Sequence, residues 1–235
     1  HSIIGIGEGT APQESQTGGN GGIIGGPGGG SGSGGTGSAG SINSGDITPP
    51  EKDSAALSFD DMQGHWAAEY VKDLVEKGIV KGKTQTQFAP DDVITRAEFI
   101  ALVIRAVDQE ADYYESQFED VNAGDWYAGA IQRALERGLI SADVYFRPND
   151  NITRQEMSKI ITNAYLLRGG TAASDYDFTY EDQDQISQWA TGFVKFVGAA
   201  GLMNGDNNGN FRPLDHATRA ESAAVISRML EKNKT

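Results

Sequence analysis

Cysteine is absent from the 235 residues, which excludes disulfides, thiolate nucleophiles and sulfur metal ligands. Histidine is scarce: His1, His65 and His216 lie too far apart for a zinc triad, and no His-Glu-x-x-His string occurs. Basic residues are outnumbered, 19 against 33 acids, for a formal net charge of −14. That balance argues against nucleic acid or an anionic membrane as a general partner, since neutralising phosphates requires a basic face. Long apolar runs are missing too; none approaches the ~18 residues that cross a bilayer, so membrane insertion is not expected. With neither a starting Met nor a signal peptide, the chain reads as a mature or excised fragment. No cofactor and no metal site are expected. The string "DNNGN" at 206–210 resembles the start of a calcium loop, but its twelfth position is Ala217 where a glutamate is needed.

What is present divides sharply. Of 31 glycines, 18 fall in residues 1–45, with two acids and no Lys or Arg. Such a segment buries too little to offset the entropy of ordering its backbone, so residues 1–57 read as a disordered Gly/Ser-rich linker. A coil of that length spans roughly 40 Å on average and suits a tether to a cargo module upstream. Its G-x-G strings follow no strand and open no helix, which excludes a phosphate loop.

The remainder repeats. "FDD...HWAAEYVKDLVEKGIV...FAPDDVITRAEFIALVIRAV" aligns with "FED...DWYAGAIQRALERGLI...FRPNDNITRQEMSKIITNAYLL" and with "YED...QWATGFVKFVGAAGLM...FRPLDHATRAESAAVISRML". The shared landmarks are Trp66, Trp126 and Trp189; Gly78, Gly138 and Gly201; Pro90, Pro148 and Pro213; then three Thr-Arg-x-Glu groups. In each copy apolar residues recur at helical spacing after the tryptophan and stop at the glycine, which suits a left-handed helix terminus. A second helix follows at Thr95, Thr153 or Thr218, with Phe99, Leu102, Val103 and Val107 on one face in the first copy. A single copy cannot bury its own stripe, whereas three together can. The fold class is therefore all-α: three tandem helix-loop-helix repeats over 58–112, 113–175 and 176–235, in a pseudo-threefold bundle.

Thr with Glu three residues later is a capping box, which assigns Thr95 and Glu98, Thr153 and Glu156, and Thr218 and Glu221 to the helix starts. The box leaves the arginine between them unexplained. Arg96, Arg154 and Arg219 fall at the first helical position, where the helix dipole disfavours a cation. Two readings stand. Each arginine pairs with an acid of a neighbouring copy, Asp91, Asp92, Asp150 and Asp215 being close in sequence; or each, beside unpaired helix-terminal amides, receives an anion from outside. The second reading expects arginine-to-alanine changes to remove binding and leave helicity intact.

These landmarks, present in order three times over residues 58–232, resemble the S-layer homology domain, whose copies carry an aromatic-x-Asp opening, a Trp-containing helix, a Gly-Ile/Val turn, a Phe-x-Pro loop and a Thr-Arg-Ala-Glu helix. The resemblance implies a pseudo-threefold helical unit that holds exported proteins on the Gram-positive cell wall. It implies binding of secondary cell-wall polysaccharide, whose pyruvylated N-acetylmannosamine carries a carboxylate. By the same resemblance Arg96, Arg154 and Arg219 are the carboxylate contacts in grooves between copies, and Asp61, Asp120 and Asp182 match the acidic position of the opening motif. For these aspartates a turn acceptor is the competing reading. Trp66, Trp126 and Trp189 are candidate sugar platforms, although their helical spacing reads more simply as core.

The function expected is a non-catalytic anchoring module in an extracellular, cell-wall or S-layer setting. The rivals are a helical scaffold for a protein partner in S-layer assembly and a glycan hydrolase built on two carboxylates. The copies are not equivalent: Gly138 to Phe146 is two residues shorter than Gly78 to Phe88, and only the third copy has the glycine-rich "NGDNNGN". Unequal grooves are expected.

Overall fold

The computed structural model describes residues 59–115, 118–171 and 179–232; the segment read as a linker, 1–57, lies outside them. Six α-helices make up the described chain: α1 (Ala68–Glu76), α2 (Arg96–Val107), α3 (Ala128–Glu136), α4 (Arg154–Leu167), α5 (Thr191–Ala199) and α6 (Arg219–Lys232). Short 3₁₀ turns at Asp60–Met62 and Gln183–Gln185 precede α1 and α5. Among the described residues β-structure is limited to three isolated bridges.

The helix ends follow from the sequence. Gly78, Gly138 and Gly201 adopt φ of 71°, 68° and 61° at the ends of α1, α3 and α5. After α1 the amide of Ile79 donates to the Leu74 carbonyl at 2.9 Å and that of Gly78 to Val75 at 2.9 Å. This is the Schellman arrangement, and the buried Ile79 folds back onto Leu74. The amides of Leu139 and Leu202 make the same return to Ala134 and Val197, each at 2.8 Å. Helices α2, α4 and α6 open on capping boxes. Thr95 and Thr153 accept from the amides of Glu98 and Glu156, whose carboxylates accept in return. Thr218 and Glu221 do the same at 3.1 and 3.0 Å.

The packing does not follow the repeat boundaries. Helix α3 packs on α2, α5 on α4, and α1 on α6, while α2, α4 and α6 meet at the centre. Each first helix thus rests on the second helix of the preceding copy, and the first copy closes the series by resting on the last. The ring closes at the backbone as well: the amide of Ile94 donates to Ala217 (3.0 Å), Ala217 to Ile152 (2.9 Å) and Ile152 to Ile94 (3.1 Å). All three side chains are fully buried, so this triangle of hydrogen bonds marks the pseudo-threefold axis.

The Phe-x-Pro loops pass through strained backbone. Ala89, Arg147 and Arg212, each just before a proline, sit at φ of 58°, 59° and 58°, a region unfavourable for residues with a Cβ. One aspartate per copy holds each loop there. Asp61 accepts from the amides of Phe88 (2.9 Å) and Ala89 (2.7 Å), Asp120 from Phe146 and Arg147 (2.8 and 2.7 Å), and Asp182 from Phe211 and Arg212 (2.7 Å each). These aspartates therefore act neither as caps nor as acceptors of a turn before their own first helix: both carboxylate oxygens accept from a loop that lies beyond that helix.

Packing across copies sets a test. A Cβ on Gly129 in α3 would lie 2.2 Å from the carbonyl oxygen of Ala111, whereas one on Gly192, at the equivalent place in α5, meets nothing within 4 Å. Gly129→Ala is expected to lower stability by about 1–3 kcal/mol through overpacking. Gly192→Ala is expected to raise it by about 0.5–1 kcal/mol through helix propensity and chain entropy. Thermal unfolding of the pair checks the opposite signs.

Candidate functional site

Unpaired amides were expected at the starts of α2, α4 and α6; the structure shows them occupied. The amides of Arg96 and Ala97 donate to Asp150 and Pro148 of the second copy, those of Arg154 and Gln155 to Asp215 and Pro213 of the third, and those of Arg219 and Ala220 to Asp92 and Pro90 of the first, all at 2.9–3.0 Å. The terminal donors that an anion would use are satisfied by the next copy's loop.

The motif arginines follow the same direction. Nε of Arg96, Arg154 and Arg219 donates to the carbonyl of Phe146 (2.9 Å), Phe211 (2.8 Å) and Phe88 (2.9 Å). Each guanidinium lies over the ring of that phenylalanine, 4.6–5.0 Å from its centre. Arg96 pairs with Glu156 at 2.6 Å and Arg154 with Glu221 at 2.7 Å. Arg154 also donates to the Asn204 carbonyl at 2.9 Å, and only 5% of its side chain is exposed. Pairing with an acid of the neighbouring copy is therefore realised, by the capping-box glutamates rather than by the aspartates close in sequence. Each glutamate divides its labour: Oε2 of Glu156 accepts from the Thr153 amide at 2.9 Å, and its Oε1 faces Arg96.

Burial pulls the guanidinium pKa of all three arginines below its ordinary value, and the nearest glutamate opposes that shift: Glu156 for Arg96, Glu221 for Arg154 and Glu98 for Arg219. The third junction is looser than the others. Arg219 donates to the Phe88 and Lys81 carbonyls, and among the described residues no carboxylate comes within 4.0 Å of it.

Two arginines that sequence reasoning passed over occupy the open side of these junctions. Arg147 and Arg212, at the strained loop positions, have side chains 59% and 43% exposed and lie 3.8 and 3.4 Å from the outer oxygens of Glu156 and Glu221. The first copy has Ala89 at this place. The signal was the contrast of "FRP" with "FAP"; its meaning depends on a left-handed backbone before a proline, a conformation that sequence pattern disfavours. One cleft of about 490 Å³ is lined by Arg96, Arg147, Glu156 and His216. A larger one, about 570 Å³, is lined by Arg154, Arg212 and Glu221 and continues to Trp66 and Arg228.

The tryptophans correct the core reading. Trp66, Trp126 and Trp189 are 57%, 40% and 50% exposed; the residue after each, Ala67, Tyr127 or Ala190, takes the buried place. Among the described residues, no group of three or more His, Asp or Glu could hold a metal ion, and no helix is long and apolar enough to cross a membrane.

Because Arg154 is enclosed by protein acceptors, Arg154→Ala is expected to cost about 3 kcal/mol of stability, leaving two carbonyls without this donor and Glu221 with only its longer contact to Arg212. This replaces the expectation that the change spares the fold. Urea denaturation followed by circular dichroism measures it, and an unchanged midpoint would show the arginine to be dispensable to the structure.

Comparison with known proteins fits this geometry. The family model described as S-layer homology domain matches residues 58–100, 117–158 and 179–223. Similar proteins include an amylopullulanase of Thermoanaerobacterium thermosulfurigenes, 40% identical over 75% of this chain and 10% of that protein. A surface-layer 125 kDa protein of Lysinibacillus sphaericus is 31% identical over 79% of this chain and 16% of that protein. A cellulosome-anchoring protein of Acetivibrio thermocellus is 31% identical over 65% of this chain and 35% of that protein. The chain spans between a tenth and about a third of the length of these relatives. Three copies of one motif, closed into a ring in motif order and matched along most of the described sequence, establish that the chain belongs to the S-layer homology domain family and is an extracellular, cell-wall-associated module.

Proposed function

We propose that the chain is a non-catalytic anchor that binds secondary cell-wall polysaccharide in the clefts between its repeats, with acidic, pyruvylated sugars as the recognised units. The supporting observation is the pair of open clefts in which an exposed arginine, Arg147 or Arg212, stands above a glutamate already engaged by a buried one. In a chain of net charge −14, the smaller cleft balances Arg96 and Arg147 against Asp150 and Glu156, while the larger gathers Arg154, Arg212 and Arg228 around the single acid Glu221. The half-buried Arg96 and the buried Arg154 hold the glutamate and the loop in position, while the outer arginines meet the carboxylate. Exposed Trp66, Trp126 and Trp189 offer flat apolar faces for a pyranose ring. The relatives point the same way: an amylopullulanase, a surface-layer protein and a cellulosome-anchoring protein differ in name and share this segment, which suits attachment rather than turnover.

The double variant Arg147→Gln, Arg212→Gln is expected to lose sedimentation with purified cell walls at physiological salt. Its stability should stay within about 0.5 kcal/mol of the parent, because exposed ion pairs contribute little. Protein-free wall polysaccharide should compete with walls for the parent chain; failure to compete would indicate a protein partner instead. The third junction, with Ala89 in place of the outer arginine and Arg219 lacking a close carboxylate, is expected to bind weakly or not at all. Calorimetry should therefore give fewer than three sites per chain, and three equal sites would overturn this reading.

A further inference from the structure

The tenth residue after each Thr-Arg-x-Glu threonine has a different fate in each copy. Arg105 pairs with Glu110 at 3.1 Å. Asn163 is neutral and donates to the carbonyls of Gly138 and Leu139 at 3.2 and 3.3 Å. Arg228 donates to the Leu202 carbonyl at 3.4 Å and stacks over Tyr70 of the first copy, 5.0 Å from the ring centre. Its other bonds, to the Tyr70 hydroxyl, are 3.4 Å long. Among the described residues no carboxylate lies within 4.0 Å of Arg228, in a chain with far more acids than bases. A half-buried cation held by a ring face and long, neutral hydrogen bonds, with no carboxylate beside it, retains most of its capacity for an anion.

That cation lines the larger cleft together with Arg154 and Arg212, the half-exposed Trp66 and the buried Met203 and Val225, and the Trp66 indole meets the same Tyr70 ring, 6.5 Å between centres, over which Arg228 lies. We propose that Arg228 and Trp66 form a second subsite of this cleft, which takes another anionic substituent, carboxylate or phosphate, on a further sugar of the bound polymer. The subsite deepens the anchoring function proposed above and rests on it. Its two residues come from the third and first copies, so it exists only where α1 closes on α6. The cleft then reads at least two residues of an acidic glycan: one anion at Arg212, a second at Arg228, and a ring or acyl methyl against the apolar lining of Met203 and Val225.

The second copy supplies the variant that tests this without harming the fold. Arg228→Asn installs the residue that already holds the equivalent helix-terminal carbonyls in Asn163. With purified wall polysaccharide as the probe, the variant is expected to bind roughly tenfold more weakly, as for loss of a charge-assisted hydrogen bond. The slope of affinity against salt should fall as well, with the melting temperature unchanged. Polymer treated with cold aqueous hydrofluoric acid, which cleaves phosphate esters and leaves carboxylates, identifies the group: a difference between parent and variant that persists assigns a carboxylate, and one that vanishes assigns a phosphate. Equal affinity and equal salt slope for parent and variant on untreated polymer would overturn the subsite and leave the anchoring function standing. Absence of polymer binding by the parent chain would overturn both.

Discussion

The start of an α-helix leaves backbone donors that need acceptors, and in this chain the acceptors for the central helices lie in another copy of the motif. The first two amides of α2, α4 and α6 are taken by the carbonyls of the next copy's proline loop. Much else in the architecture serves that exchange. The loop can present its carbonyls only if its backbone turns through a left-handed residue before proline, and it holds that turn because an aspartate accepts both neighbouring amides. The same loop offers a phenylalanine carbonyl and ring to the arginine of the preceding copy. No copy completes its own helix start, which is the physical reason a single motif is not a folding unit.

Placing a cation at the first helical position looks unfavourable when a helix is considered alone. Here the guanidinium leaves its own helix end, crosses to the next copy and meets a carbonyl, an aromatic face and, in two of three cases, a carboxylate. The glutamate that receives it keeps one oxygen for its own capping box. Threonine, arginine and glutamate thus act as a unit: cap, cross-link, and a receptor for both. Burying that cross-link moves the duty of meeting solvent to Arg147 and Arg212, so the residues that hold the cleft together and those that face it are different.

The helices, their caps, the glycine stops and the threefold repetition were legible because each rests on local chemistry: apolar spacing, a hydroxyl with a carboxylate three residues on, and a residue free to adopt positive φ. The arginines were visible as an anomaly, and one of the two explanations considered for them, pairing with an acid of another copy, is realised at Arg96 and Arg154 but not at Arg219. The partners were not legible, because Glu156 and Glu221 seemed already committed to capping and the second oxygen of a carboxylate leaves no trace in spacing. The tryptophans misled for a related reason. A residue at the mouth of a helix can satisfy helical periodicity and still sit outside the core when its neighbour, Ala67, Tyr127 or Ala190, takes the buried place. The packing of α1 on α6 has no local signature, since it depends on the sum of three rotations.

The triangle of hydrogen bonds linking Ile94, Ile152 and Ala217 has a consequence for counting. Linear arrays of helical repeats are open-ended and need polar capping repeats, but their length is free to vary. A triangle has no ends to cap and no vacancy to extend: a fourth copy would find every axial donor and acceptor taken, and two copies would leave a donor and an acceptor facing nothing. In this chain, three is a number set by the geometry of the axis.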